Sequence, residues 1–182
     1  MKKMTISLHF IVKDEIKQVK ILCDMAFRYF DGIFITVSDK KAFKELKKLE
    51  NTKIHVDYRE WNDKFDEARQ HNWELGKDYD ASMWLDADDT FDFKRIPELV
   101  DNLNQYDVVF LPYHYDHDEN GNVIVALWRE RILSRRKPFY WKGWVHENLI
   151  CQEHFTKINI YEPVIHSQDQ NHKDSSLKRN HE

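Results

Sequence analysis

The first sixty residues alternate between short apolar runs and amphipathic stretches. Residues 5–12, 33–37 and 54–58 are apolar and rich in β-branched side chains, which predicts three buried strands. Between them, residues 16–30 and 42–49 carry apolar side chains at the three- and four-residue spacing of a helix. This β-α-β-α-β order predicts a parallel sheet with helices on both faces and ligand-binding groups at the carboxyl ends of the strands.

A third helix, a fourth strand and a hairpin follow. Residues 61–75 have the apolar spacing of a helix, and Gly76 ends it. Residues 82–85 form an apolar strand that runs into an acidic tetrapeptide. Two later apolar runs flank a turn sequence: residues 108–115, the turn Glu119-Asn120-Gly121-Asn122, and residues 123–128. The whole pattern predicts an α/β fold, with a mostly parallel sheet flanked by helices and a small antiparallel hairpin.

Composition is that of one folded domain. The chain has 182 residues, of which 41% are hydrophobic and 14% aromatic. We expect the domain to span residues 1–167 and residues 168–182 to form a polar tail, either the start of a further helical region or a disordered end. The formal net charge of −4 provides no overall basic field for nucleic acid.

The two cysteines bear on the compartment. Cys23 and Cys151 show neither metal-site spacing nor the density of a disulfide scaffold, which favours a reducing environment. No segment approaches 18 consecutive apolar residues, so the sequence predicts no transmembrane segment. Together these features predict a cytoplasmic protein.

The acidic tetrapeptide carries the clearest chemistry. Asp86, Asp88 and Asp89 stand where the fourth strand stops, and in an extended chain Asp86 and Asp88 point to the same side. Two ionised carboxylates this close repel each other unless a cation or protons lie between them. Mg²⁺ or Mn²⁺ suits such ligands and can also bind phosphate oxygens, which indicates group transfer from a nucleotide diphosphate. An acidic loop with helix-capping aspartates is the alternative.

Four segments together resemble a known family. The run Trp84-Leu85-Asp86-Ala87-Asp88-Asp89 resembles the DxD element of family 2 glycosyltransferases with the GT-A fold. Residues 11–15, 61–69 and 141–147 resemble further segments of that family in the same order, and the likeness covers residues 4 to 180. Two positions depart from the family pattern, because Asp14 replaces its usual Asn and Gln70 follows Arg69 in place of Asn. The Gly143-x-Val145-His146-Glu147 segment resembles the branch of lipopolysaccharide-core glucosyltransferases.

The resemblance implies a GT-A-like, Rossmann-like fold, a nucleotide-diphosphate sugar donor, a Mn²⁺ or Mg²⁺ ion and transfer of a hexose with inversion. The metal ligands that it implies are Asp86, Asp88 and His166. The donor-binding residues that we expect are Asp14, Glu15, Asp39, Arg69, Asp86 and His146. Plainer roles compete at each position: Asp39 can cap a helix, Arg69 can form a surface salt bridge, and His166 can be structural.

The aromatic segment before residue 147 supplies candidates for the acceptor side. An inverting transfer needs a general base that takes the proton of the acceptor hydroxyl, and Glu147 is our candidate. Trp141 and Trp144 offer ring faces for an acceptor sugar, with core packing as the alternative. His146 can contact the donor diphosphate or orient Glu147.

The substrates stay open at this stage. A glycan, a lipid-linked, a protein or a modified-nucleobase acceptor fits the sequence equally, and UDP-glucose is taken as the donor only because it is common. The basic run of residues 129–137 either holds an anionic acceptor or forms a solvated face.

Two other classes compete with a glycosyltransferase. A sugar nucleotidyltransferase would ordinarily carry a glycine-rich basic loop after the first strand, where Lys13-Asp14-Glu15 is acidic and lacks glycine. A binding module that has lost turnover is the other alternative, against which the intact Asp86, Asp88 and Glu147 argue.

Overall fold

The computed structural model describes residues 3–143 and 147–166. Its α-helices are α1 Ile16–Ala26, α2 Lys40–Leu46, α3 Phe65–Leu75 and α4 Ile96–Asp101, with short 3₁₀ turns at Lys47–Leu49, Phe93–Arg95 and Asn102–Asn104. Its strands are β1 Ile6–Val12, β2 Gly32–Val37, β3 Ile54–Tyr58, β4 Ala81–Trp84, β5 Asp89–Thr90, β6 Val108–His117, β7 Val123–Ser134, β8 Tyr140–Lys142, β9 Asn148–Ile150, β10 Lys157–Asn159 and β11 Val164–His166.

One large sheet organises the molecule. Its strand order is β3-β2-β1-β4-β7-β6-β11-β5, and β10 also pairs with β6. The strands β3, β2, β1 and β4 are mutually parallel, β7 runs antiparallel to both β4 and β6, and β10 and β11 run parallel to β6. Strands β8 and β9 form a separate antiparallel pair. The predicted α/β class with a mostly parallel sheet is confirmed.

Burial follows the position of each strand in the sheet. All six residues of β2 are buried, and so are six of the seven in β1, because neighbouring strands and helices cover these central strands. A second, aromatic cluster lies beside α3 and includes Trp73, Trp84, Phe139 and Trp141. This cluster supports the end of β4, where the acidic tetrapeptide begins.

Helix α3 starts later than the sequence pattern predicts. It begins at Phe65 rather than at residue 61. Asp63 has a φ of 61°, and its carboxylate accepts a hydrogen bond of 2.9 Å from the indole N–H of Trp61. This local turn stops the helix from extending towards its predicted start.

A buried histidine joins α3 to β1. The ring of His9 is 2% exposed and stacks on Phe34 with a centroid distance of 5.3 Å. Its Nδ1 lies 3.0 Å from Asn72 Oδ1 and its Nε2 lies 2.9 Å from Ser7 Oγ. Burial, assisted by the charge of Arg135, lowers the pKa of His9 to about 3, so the imidazole is neutral at physiological pH.

The β6–β7 hairpin extends beyond the sheet. Residues 123–128 are exposed, and among the described residues no strand pairs with this part of β7 on the side away from β6, since β4 reaches only Ile132–Ser134. The stretch contains no charged residue and no proline: Val123, Ile124, Val125, Ala126, Leu127 and Trp128. It is therefore an open apolar strand edge.

No helix within the described ranges is long and apolar enough to cross a membrane. The predicted tail at 168–182 lies outside the described residues, so the boundary after residue 167 stays a prediction.

Candidate functional site

The acidic tetrapeptide forms a tight turn after β4. The backbone N–H of Asp89 donates to the carbonyl of Asp86 at 3.1 Å, and the N–H of Asp86 donates back to Asp89 Oδ2 at 3.0 Å. Asp89 is buried, whereas Asp86 and Asp88 are partly exposed. The turn thus places two carboxylates at the mouth of the site and keeps a third beneath them.

His166 reaches this turn from the far end of the chain. Strand β11 pairs with β5, which sets His166 opposite Asp89. Ligand atoms of Asp88, Asp89 and His166 all lie within 4.8 Å of one another. The phenol of Tyr113 donates to Asp89 Oδ1 at 3.0 Å and lies 3.1 Å from His166 Nδ1. Two carboxylates and an imidazole fit Mn²⁺ well and Mg²⁺ less well, because Mg²⁺ prefers oxygen ligands.

The electrostatics of this group favour an added cation. The pKa of Asp88 is raised to about 6, mainly because the carboxyl group is buried and also because Asp86 and Asp89 carry like charges, while His166 opposes the shift. The Asp89 carboxylate raises the pKa of His166 above its ordinary value, against the effect of burial. A divalent cation would relieve the repulsion among these carboxylates.

A second arrangement connects the turn to Glu147. The guanidinium of Arg69, on α3, donates from Nη2 to Asp86 Oδ1 and from Nε to Glu147 Oε1, the latter at 2.5 Å. Burial alone would lower the pKa of Arg69, but the charges of Asp86 and Glu147 outweigh it and raise the pKa. Burial alone would raise the pKa of Asp86, but Arg69 and Arg131 outweigh it and hold that pKa low. Arg69 and Asp86 are therefore ionised together.

Aromatic rings hold Arg69 in this position. Its guanidinium carbon lies 4.7 Å from the Trp84 ring centre and 5.1 Å from that of Trp141, and the two rings meet edge to face. Trp141 is only 5% exposed. The structure therefore places Trp141 under the site, where its ring supports Arg69, and its acceptor-binding role stays a prediction.

The comparison with known families agrees with this geometry. Residues 36–158, more than half of the chain, match the model of glycosyl transferase family 2. The chain belongs to this family. No curated protein matches the chain, and the finer resemblance to the lipopolysaccharide-core branch stays a prediction.

Solved structures share the fold of this member of family 2. A fragment of S. aureus TarS in complex with UDP is 11% identical, with a TM-score of 0.59 over 86% of this chain and 61% of that one. The same fragment with UDP-GlcNAc gives 10% identity and a TM-score of 0.55, over 87% and 59%. A protein assigned as a nucleotide-diphospho-sugar transferase from Desulfovibrio desulfuricans G20 is 9% identical, with a TM-score of 0.58. That match covers 92% of this chain and 83% of the other. These likenesses establish a GT-A-like fold, and the chain spans less than two thirds of the TarS fragment.

In this family 2 chain, three predicted donor residues lie at the carboxyl ends of β1 and β2. Asp39 accepts from two backbone N–H groups of α2 at 2.8 and 2.7 Å, so it caps that helix. Glu15 Oε2 accepts from the backbone N–H groups of Lys13 and Asp14 at 2.9 and 3.1 Å. The structure gives Asp39 and Glu15 local roles, and donor binding by Asp14, Glu15 and Asp39 stays a prediction.

The group that could hold a cation shares two residues with the predicted metal ligands. Asp88 and His166 belong to the group that could hold a cation, as the sequence indicates. In the structure the third member is Asp89, whereas the Asp86 carboxylate pairs with Arg69. The turn after β4 is not extended, which brings Asp89 to this group. Metal binding by Asp86, Asp88 and His166 stays a prediction.

Sequence reasoning missed two features of the site. His71 Nε2 lies 2.6 Å from Asp57 Oδ2 at the end of β3, the same sheet edge as Asp39. The fully buried Arg131 lies 3.3 Å from Asp89. Asp57 is the last residue but one of a predicted strand, and that position was a usable signal. Nothing in the local sequence distinguishes Arg131 from its basic neighbours.

The basic run is mostly structural. Arg135 and Arg136 donate to backbone carbonyls at 2.6 and 2.7 Å, and Lys137 pairs with a glutamate at 3.1 Å. Arg129 is the member of the run beside Glu147, whose carbonyl accepts from it at 3.4 Å. The predicted residues Trp144 and His146 lie outside the described residues.

Proposed function

We propose that this glycosyltransferase moves a hexose from a nucleotide-diphosphate sugar to an acceptor hydroxyl, with inversion and with a divalent metal ion. The observation that carries the proposal is the double contact of Arg69. One buried guanidinium holds both Asp86, the first aspartate of the DxD element, and Glu147, the candidate base. A donor bound at the acidic turn would therefore sit next to a carboxylate of fixed orientation.

Glu147 is the residue that we assign to proton removal. Arg69 holds its Oε1, which leaves Oε2 to accept the proton of the acceptor hydroxyl. As that proton moves, the acceptor oxygen forms a bond to the anomeric carbon and the bond to the nucleoside diphosphate breaks. Attack from the side opposite the leaving group inverts the anomeric centre.

Asp88, Asp89 and His166 are the residues that we assign to the metal, and Mn²⁺ fits this mixed donor set best. When bound, such an ion neutralises charge on a diphosphate leaving group. Asp86 remains a candidate ligand by family resemblance, and its contact with Arg69 also makes it a candidate for orienting the donor.

The carboxyl ends of β1, β2 and β3 are the proposed nucleotide site. Asp14, Glu15 and Asp39 lie there, together with the Asp57–His71 pair. The TarS fragment binds UDP and UDP-GlcNAc in its solved structures, which supports a UDP-sugar as the donor here.

A thermal-shift panel tests the proposal. UDP, GDP, CDP, TDP and their sugars are each added with Mn²⁺ and with EDTA, at concentrations up to 100 times the expected Kd. A ligand that binds only the native state at that level stabilises it by about 2.7 kcal/mol. We expect a rise in Tm for UDP compounds with Mn²⁺ that EDTA removes. A flat panel would contradict donor binding and would favour a chain that has lost turnover.

A further inference from the structure

Arg131 lies directly beneath the acidic turn. It is fully buried, and its guanidinium carbon is 4.0 Å from the ring centre of Trp84 and 4.4 Å from that of Tyr113. Its Nη1 donates to the carbonyl of Trp84 at 3.3 Å and lies 3.3 Å from Asp89 Oδ2. The cation is thus held between two rings and points one nitrogen at the turn.

This arrangement is poorly explained by stability alone. Among the described residues neither Nε nor Nη2 of Arg131 has a hydrogen-bond partner, although both atoms are buried. Each such buried polar group costs about 1–3 kcal/mol. Buried ion pairs are often replaceable by apolar side chains without loss of stability, so an arginine here calls for another role.

Asp89 is the group through which Arg131 acts. Its Oδ2 accepts from the N–H of Asp86 and its Oδ1 accepts from the phenol of Tyr113, both at 3.0 Å. The same carboxylate belongs to the group that could hold a cation. Asp89 therefore has two roles, because it closes the turn and also offers a ligand atom to a cation. Arg131 supplies the positive charge that balances the Asp89 carboxylate inside the protein.

We infer that Arg131 is a positioning residue for the metal site. Acting through Asp89, it keeps the turn of residues 86–89 in its cation-binding arrangement before any cation arrives. The inference rests on the proposed function, because it concerns the metal ion that the donor site would use. It predicts that the loss of Arg131 weakens metal binding by the folded protein.

Arg135 provides a matched control on the same stretch of chain. Its guanidinium carbon lies 3.8 Å from the ring centre of Trp73, and it donates to Ser82 Oγ and to the carbonyl of Trp73. Like Arg131 it stacks on an indole and donates to a carbonyl, but its other hydrogen-bond partner is a hydroxyl and not a carboxylate of the acidic turn. Replacing it removes the same chemical group without touching the acidic turn.

The experiment compares Arg131→Met with Arg135→Met in the full chain. Mn²⁺ binding is measured directly by the electron paramagnetic resonance signal of the free ion, without nucleotide, and thermal unfolding checks that each variant is folded. We expect Arg131→Met to weaken Mn²⁺ binding by about ten-fold or more, as loss of a residue that orients a ligand does. Arg135→Met should lower the Tm but leave the Mn²⁺ affinity within about two-fold of wild type.

The outcomes separate the inference from the proposed function. Wild-type protein that binds no Mn²⁺ would overturn the proposed metal site and the inference with it. Two other outcomes would overturn the inference alone. In the first, wild type binds Mn²⁺ and Arg131→Met binds it with equal affinity; in the second, Arg131→Met and Arg135→Met lose Mn²⁺ affinity equally. Should Arg131→Met fail to fold, Arg131→Lys keeps the buried charge but lacks the planar fork. It is expected to fold and still to weaken Mn²⁺ binding, and wild-type affinity in that variant would also overturn the inference.

Discussion

The carboxylates near the end of β4 differ in whether an arginine pairs with them. Arg69 faces two of the carboxylates, and Arg131 faces a third. Asp88 has no arginine or lysine as an ion-pair partner among the described residues: it pairs with His166 at 3.6 Å, and burial raises its pKa to about 6. Asp88 is therefore the carboxylate that gains most from an added cation.

Asp88→Asn tests this imbalance. The variant removes the ligand charge but almost no volume, so we expect a stable fold and at least a ten-fold loss of Mn²⁺-dependent nucleotide affinity. Isothermal titration with UDP in Mn²⁺ and in EDTA measures the effect. Asp101→Asn, at an exposed position on α4, is the matched control. Unchanged Mn²⁺-dependent affinity in Asp88→Asn would remove Asp88 from the site.

Glu147→Gln tests proton removal separately from donor binding. The amide keeps the shape of the side chain but cannot act as a base, so we expect the transfer rate to fall by about 10²–10⁴-fold while nucleotide affinity stays near that of wild type. Steady-state transfer and titration calorimetry give the two numbers. Glu153→Gln, which changes an exposed glutamate paired with Lys137, should alter neither. A transfer rate close to wild type would exclude Glu147 as the base.

At the scale of elements, the carboxyl end of α3 packs closely on β1. A methyl group at Gly76 would lie 2.6 Å from the His9 ring and 2.9 Å from Ser7 Oγ. The His9 ring cannot move aside easily, since it is packed between Phe34 and Trp73. The glycine that ends α3 is thus required by packing.

Gly76→Ala should therefore destabilise the protein by about 1–3 kcal/mol, as overpacking of a close-packed interior does. Urea unfolding at neutral pH measures the change. Lys77→Ala, at the exposed neighbouring position, should leave the midpoint nearly unchanged. Equal unfolding midpoints for Gly76→Ala and wild type would show that the packing around position 76 can adjust to a methyl group.

The elements themselves were largely predictable, because each depends on local periodicity. The β-α-β-α-β order, the fourth strand and the β6–β7 hairpin all follow from apolar spacing and turn residues. The start of α3 could not be predicted from apolar spacing, since it depends on the left-handed backbone at Asp63. The contact between Asp89 and Arg131 was also missed, because it joins strands separated in sequence and only the tertiary fold brings them together.

For the whole molecule, acid should weaken folding through His9. The pKa of His9 is about 3 in the folded protein, against an ordinary value near 6.5. Between these values the unfolded chain binds a proton that the native protein does not, so stability falls as the pH falls through this window, by up to about 1.4 kcal/mol per pH unit. Asp88 acts in the opposite sense: its raised pKa stabilises the native form as the pH falls below about 6.

His9→Gln isolates this contribution. The variant loses stability at pH 7.5 because it loses packing, but its free energy of unfolding should fall less steeply than that of wild type between pH 6.5 and pH 4.5. Urea unfolding of both proteins at intervals across that range measures the two slopes, and the Asp88 contribution cancels in the comparison. Parallel curves would show that His9 is protonated in the folded state.

The open edge of the hairpin has a consequence for handling the protein. An uncharged apolar strand with an unpaired backbone edge is a template for pairing with any other exposed strand. Colloidal behaviour should consequently depend on residues 123–128 more than on net charge, with turbidity that rises with protein concentration and is little affected by salt. A single lysine in place of Val125, which is 41% exposed, should raise the solubility limit without altering the acidic turn.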